Sequence, residues 1–137
     1  RYYNTANGVV RGAPITLDVN EGRSHGHLSA VDANTGEVRW RYMDPNPMMG
    51  GVVSTAGGVV FTGTQEGYAI ALDAASGKEL WKFKMGGGVR SQPIVYRSGG
   101  RSFVAIGSGN WNTFAAFSGG PINIPEGGHL FVFALPE

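Results

Sequence analysis

The sequence predicts an all-β chain of stacked four-stranded sheets, a partial β-propeller of about two and a half blades. Three observations predict it. One phrase occurs twice, 41 residues apart, beginning at Ala30 and again at Ala71. It runs Ala30-Val31-Asp32-Ala33-Asn34-Thr35-Gly36-Glu37-Val38-Arg39-Trp40, then Ala71-Leu72-Asp73-Ala74-Ala75-Ser76-Gly77-Lys78-Glu79-Leu80-Trp81. That period falls within the roughly 40–45 residues of one four-stranded propeller blade. Helical periodicity is nearly absent, and short apolar runs are bounded by Gly, Asn, Asp and Ser, which is the pattern of strands and turns.

The elements follow in order. Strands are expected at 26–32, 37–42, 51–56, 59–63, 68–73, 79–84, 92–96, 102–107 and 129–135. The Asp32–Gly36 run and its copy Asp73–Gly77 read as hairpin loops, and Ala56-Gly57-Gly58 and Ser98-Gly99-Gly100 as tight turns, because Gly tolerates positive φ. Residues 26–50 end one blade, 51–84 form a complete blade, and 89–137 form a last blade with a loop inserted at 107–127. Gly128-His129-Leu130 echoes Gly26-His27-Leu28, but this copy stops at Pro136-Glu137 before any Gly turn or Trp. The last blade is therefore expected to lack its fourth strand. A propeller closes with about 4–8 blades, so the rest of the ring is expected in further sequence or in another chain. The start at Arg1, without Met or a signal-peptide pattern, reads as a piece of a longer polypeptide or a processed chain.

Composition bounds the remaining possibilities. The 137 residues carry a net charge of +1, which gives no basis for binding nucleic acid or an anionic membrane surface. Cysteine is absent, so disulfides and thiolate metal sites are excluded within the chain. No apolar run reaches the ~18 residues of a spanning helix.

Trp40 and Trp81 admit two roles, packing between neighbouring blades or stacking on a cofactor. Repetition favours packing, since a role needed once per ring is not copied into every blade. Trp111 breaks the period. It lies in Gly107-Ser108-Gly109-Asn110-Trp111-Asn112, where glycines permit close backbone approach and the indole offers a broad face with one N–H donor. The loop at 112–127 is apolar and Gly/Pro-rich. It would shape a substrate funnel or cover a neighbouring surface, and a long loop of this kind is more often functional than incidental. His25 and His27 lack further ligands nearby and read as a solvated strand entry. Asp44 before Pro45 reads as a turn residue.

Taken together, these residues resemble a quinoprotein alcohol dehydrogenase. The resemblance rests on Gly26–Gly36 with Trp40, on Gly50–Gly63, and on Gly67-Tyr68 with Ala71–Ala74 and Ser76-Gly77. It continues through Leu80–Phe83, Gln92–Ile94 with Tyr96, and Phe103–Ile106 leading into the Gly-rich stretch. It implies that the chain is the C-terminal segment, 1–137, of an eight-bladed ring carrying pyrroloquinoline quinone (PQQ). It also implies an interblade docking role for Trp40 and Trp81, and places Gly109, Asn110 and Trp111 beside PQQ, the alternative for Trp111 being a loop Trp that caps the blade top. Met49 would stand where some members place a Trp against the cofactor, the alternative being ordinary packing at a blade top. The family's catalytic Asp base, Arg, and Glu and Asn ligands to Ca²⁺ or a lanthanide have no match in this chain, so no catalytic or metal residue is assigned. The implied reaction is oxidation of an alcohol by hydride transfer to the quinone in the periplasm, with a cytochrome c-type electron acceptor. A non-enzymatic propeller scaffold serving outer-membrane assembly is the alternative.

Overall fold

The computed structural model describes residues 25–109 and 128–134, together with the backbone of two short strands near the start of the chain. Those two, β1 (Tyr3–Asn4) and β2 (Val10–Arg11), pair antiparallel. Every other described strand is also antiparallel to its neighbour, and no helix occurs among the described residues. The strands form three stacked sheets. The first pairs β3 (Gly26–Val31) with β4 (Val38–Asp44). The second runs in order through β5 (Val53–Ser54), β6 (Val59–Gly63), β7 (Tyr68–Asp73) and β8 (Glu79–Lys84). The third holds β10 (Arg101–Gly109) between β9 (Ile94–Ser98) and β11 (Gly128–Ala134). This is the partial propeller that the repeat predicts, with one sheet of four strands and incomplete sheets on either side.

The repeated phrase builds the same local structure twice. In each copy an aspartate begins the turn and bonds back to it. Asp32 Oδ1 accepts from the N–H groups of Asn34 and Thr35, and Asp73 Oδ1 accepts from the N–H and hydroxyl of Ser76. The backbone closes identically, with Gly36 N–H donating to Asp32 O and Gly77 N–H to Asp73 O, both at 2.8 Å. Both glycines are left-handed, at φ 74° and 72°, where a side chain is strained. Even the ladder irregularity is copied, falling between Ala30 and Val31 in one hairpin and between Ala71 and Leu72 in the other.

Burial explains why β7 reads as an unbroken apolar run. Ile70 and Leu72 point to the first sheet, joining Val60 in a cluster covered by Leu28, Trp40, Tyr42 and Met48. Ala69 points the other way, joining Met85, Val89, Val104 and Ile106 against the third sheet. A strand covered on both faces loses the polar alternation of a half-buried one. Two seams result, one on each side of the second sheet. In the first seam the Trp40 ring lies on the Gly77 turn, where a Cβ would come within 2.6 Å of it, and its Nε1 donates to Ala74 O at 2.9 Å. The Tyr42 hydroxyl crosses the same seam to Glu79 Oε2 at 2.8 Å. In the second seam Trp81 meets Phe133 edge-on at 4.9 Å, and Phe83 meets Phe133 and Phe131 at 5.1 and 5.9 Å. Edge-to-face aromatic pairs at these separations are favourable beyond the area they bury.

Six strands have limits that differ from the sequence expectation, and three of the differences have a plain cause. β5 spans only Val53–Ser54, because Thr55 already belongs to the turn, its N–H bonded to Val59 O and its own O accepting from Gly58. β9 begins after Pro93, which has no N–H for the ladder. β10 runs on to Gly109, two residues past the expected end, because β11 pairs with it up to Gly109↔Gly128.

Candidate functional site

The stack has two unlike ends. One end carries the hairpin turns, Asp32–Gly36, Ala56–Gly58, Asp73–Gly77 and Ser98–Gly100. The other carries the longer connections 45–52, 64–67 and 85–93, and there the Gly109 end of β10 meets the start of β11. At this loop end the backbone is unusually close-packed. A Cβ on Gly50 would lie 2.7 Å from Gly63 O, one on Gly63 2.5 Å from Val89, and one on Gly87 3.1 Å from Gly109. Hydrogen bonds lace the same connections together. Met85 N–H donates to Gly67 O, Val89 N–H to Thr64 O, and Gly109 N–H to Gly88 O. The hydroxyls of Ser108 and Ser91 donate to Gly87 O and Gly107 O, both at 2.8 Å. Asn46 Nδ2 donates to Glu66 Oε1 at 2.9 Å, tying the connection before β5 to the one between β6 and β7.

Of the four residues that the resemblance places beside the cofactor, Gly109 and Met49 fall within the described structure, and both stand at this end. Gly109 closes β10 and is held by Gly88. Met49 is 40% exposed, whereas its neighbour Met48 packs into the first seam. From Gly50, beside Met49, close contacts run through Gly63 to Val89, and Gly88 next to it bonds Gly109. Asn110 and Trp111 lie outside the described residues, as does most of the inserted loop. Asp44 is the turn residue expected of it, buried and accepting the Asn46 N–H at 2.8 Å. His27 is exposed on β3 opposite Met43. Among the described residues no three His, Asp or Glu side chains converge on a metal position.

Sequence reasoning passed over Gln65. It sits in Thr64-Gln65-Glu66-Gly67, which reads as an ordinary polar turn. Yet Gln65 is 2% exposed, and its Nε2 has no hydrogen-bond partner. Only burial separates it from Glu66 beside it, which is exposed. No sequence signal marks the difference.

The strongest electrostatic shifts lie away from this end. The Arg39 guanidinium, 2.6 Å away, and then the Asn34 and Thr35 N–H groups hold Asp32 below the usual carboxylate range. The Ser76 hydroxyl and N–H do the same for Asp73. Desolvation, then the bond to Glu79, pushes the Tyr42 phenol well up. These groups serve turns and a seam, and carry no proton-transfer geometry.

Stacked antiparallel sheets, joined by a repeated Trp and Asp/Gly turn and bearing a close-packed loop end, define a propeller of quinoprotein-type repeats. Residues 24–132 match the PQQ_2 family model, described as outer membrane protein assembly factor BamB, and the chain belongs to that family. Its relatives include a quinoprotein ethanol dehydrogenase of Pseudomonas aeruginosa, 39% identical over 116 residues, covering 82% of this chain and 19% of that protein. Methanol dehydrogenase [cytochrome c] subunit 1 of Paracoccus denitrificans is 42% identical over 88 residues, covering 63% of this chain and 14% of that protein. Among solved structures, a europium-containing methanol dehydrogenase aligns with TM-score 0.72 at 30% identity, covering 85% of this chain and 24% of that one. The resemblance to quinoprotein alcohol dehydrogenases is thus borne out. The chain spans about a fifth of the length of the curated relatives it matches.

Proposed function

We propose that this chain is a propeller segment of a PQQ-dependent dehydrogenase that oxidises an alcohol to an aldehyde. The observation that carries this reading is the 39% identity over 116 residues to a quinoprotein ethanol dehydrogenase. The loop end supports it. Gly87 and Gly88 pack too closely against Gly109 and Gln65 to admit side chains of their own, and the buried Gln65 amide lacks an acceptor. That unpaired donor fits an oxygen-rich cofactor at this end. When bound, PQQ accepts the hydride that leaves the alcohol carbon.

In this reading Gly109, Asn110 and Trp111 form one wall of the cofactor site. Gly109 fixes the start of that wall through its bond to Gly88, and Trp111 offers the stacking face. Met49, on the connection that leads into the second sheet, supplies a flexible apolar contact. The chain itself moves no proton. The base and the Ca²⁺ or lanthanide ligands belong to other blades, and the setting is periplasmic. The reduced protein passes electrons to a cytochrome c-type acceptor. Trp40 and Trp81 act as interblade docking residues.

The remainder of the ring is the chain's first partner. Ile94, Tyr96, Leu130 and Val132 share the face of the third sheet turned away from the second, and Ile94 and Leu130 are 59% and 73% exposed. On the first sheet Val31 and Met43 are likewise exposed. Apolar faces of this kind mark contact surfaces, and further blades would cover both.

The test is reconstitution of the intact protein with PQQ and either Ca²⁺ or a lanthanide, followed by dye-linked alcohol oxidation. Turnover with a primary alcohol is the expected result. Failure with every alcohol, together with no PQQ absorbance after reconstitution, overturns the reading. It would leave the non-enzymatic scaffold, which the family model's description favours.

A further inference from the structure

We propose that the Gln65 carboxamide is a cofactor-binding group, donating a hydrogen bond from Nε2 to a carboxylate of the quinone bound at the loop end. The inference rests on the PQQ reading above and assigns that site a donor from a different sheet. Three observations on the structure carry it.

The first is burial without a partner. Gln65 is 2% exposed, and Nε2 meets no acceptor. A buried donor left unpaired is costly, and native structures rarely retain one without a reason. A leucine would occupy similar volume at no such cost. The second is position in the repeat. Gln65 lies in the connection between β6 and β7, the second and third strands of their sheet. Gly109 opens the corresponding connection of the next sheet, between β10 and β11. Gln65 therefore stands one blade round from the wall assigned to the cofactor. The third is contact. The carboxamide Oε1 lies against Gly88, 3.3 Å from where its Cβ would be, and Gly88 O accepts the Gly109 N–H.

The neighbouring carbonyls already have donors. Thr64 O accepts from Gly67 and Val89, Gly87 O from Ser108, and Gly88 O from Gly109. A carbonyl can accept twice, but none of these makes a hydrogen bond with Nε2, so the acceptor that completes Gln65 comes from outside this set. PQQ carries several carboxylates, and a hydrogen bond to an ionised acceptor is the stronger kind.

The experiment titrates PQQ into the cofactor-free intact protein, following binding by absorbance and recording the melting temperature of the cofactor-free form. Gln65→Leu should weaken PQQ binding by about tenfold or more, the loss expected for a hydrogen bond to a charged group. Its cofactor-free melting temperature should hold or rise, since the orphaned amide is gone. Gln65→Glu should weaken binding further, because it sets a carboxylate against the cofactor's own. Unchanged PQQ affinity in Gln65→Leu, with a lowered melting temperature, overturns the proposal and gives the amide a structural partner within the protein. Absence of PQQ uptake by the wild-type protein is a separate outcome; it sinks the functional reading and this inference with it.

Discussion

The two ends of the sheet stack use most of their glycines for different reasons, the exceptions being Gly77, packed under Trp40, and Gly86, open with positive φ. At the turn end, Gly36, Gly58, Gly99 and Gly100 all have positive φ, and a Cβ on any of them would meet nothing within 4 Å. Glycine is there for its backbone angle. At the loop end, a Cβ on Gly50, Gly63 or Gly88 would lie within 2.8 Å of another atom of the protein. Glycine is there for space. The turn end is where the two copies of the phrase agree, down to the Asp and Gly bonds. The loop end is where one sheet departs from the next. Work that every blade must do is placed at the first end, and the second is where the connections differ in length from sheet to sheet.

The largest expected effect tests the turn end. Trp40 spans the first seam and joins two sheets through Ala74 and Gly77. Trp40→Ala should destabilise the intact protein by about 3–5 kcal/mol, as large aromatic truncations do, read as a lowered denaturant midpoint. A loss under ~1 kcal/mol would show that the seam is held by its aliphatic contacts alone. Next in size comes Gly67→Ala at the loop end. Gly67 has both liabilities, φ +84° and a Cβ position that collides with the Gly87 carbonyl. Strain and overpacking together predict a loss of about 2–4 kcal/mol. Gly36→Ala carries the strain without the collision, since its surroundings are open. It should cost only about 1 kcal/mol. Equal losses at Gly36 and Gly67 would erase the distinction between the two ends.

How much of this was legible in the sequence follows the same division. The copied phrase displayed the turn end directly. Two tryptophans at the same offset from an Asp and a Gly point to a repeated structural contact, and Trp40 makes that contact with Ala74 and Gly77. The loop end was legible only in part. Gly109 and Met49 are placed at that end, but nothing in Thr64-Gln65-Glu66-Gly67 separates a buried amide from an exposed carboxylate. Both are polar residues in a turn. The difference reflects Gly88, some twenty residues on, which packs against Gln65. The short β5 escaped for a similar reason, because Thr55 was free to extend the strand until its backbone was claimed by Val59 and Gly58.

The smallest expected effect separates the two turns from each other. Both aspartates titrate below the ordinary value of 3.8. A carboxyl whose pKa is depressed on folding stabilises the folded state at pH above its unfolded pKa, and that contribution is lost as the pH falls through the lower, folded value. The stability of the intact protein should therefore decline below about pH 4 in part through these turns, and Asp32→Asn or Asp73→Asn should each flatten that decline. Salt then distinguishes them. Asp32 draws first on the Arg39 guanidinium, an exposed ion pair that salt screens. Asp73 draws first on the hydroxyl and N–H of Ser76, which are uncharged. Raising the ionic strength should erase most of the difference between wild type and Asp32→Asn, yet leave that for Asp73→Asn nearly intact. Equal salt sensitivity in the two variants would mean that Arg39, despite its 2.6 Å approach, leaves Asp32 no more dependent on charge than its copy.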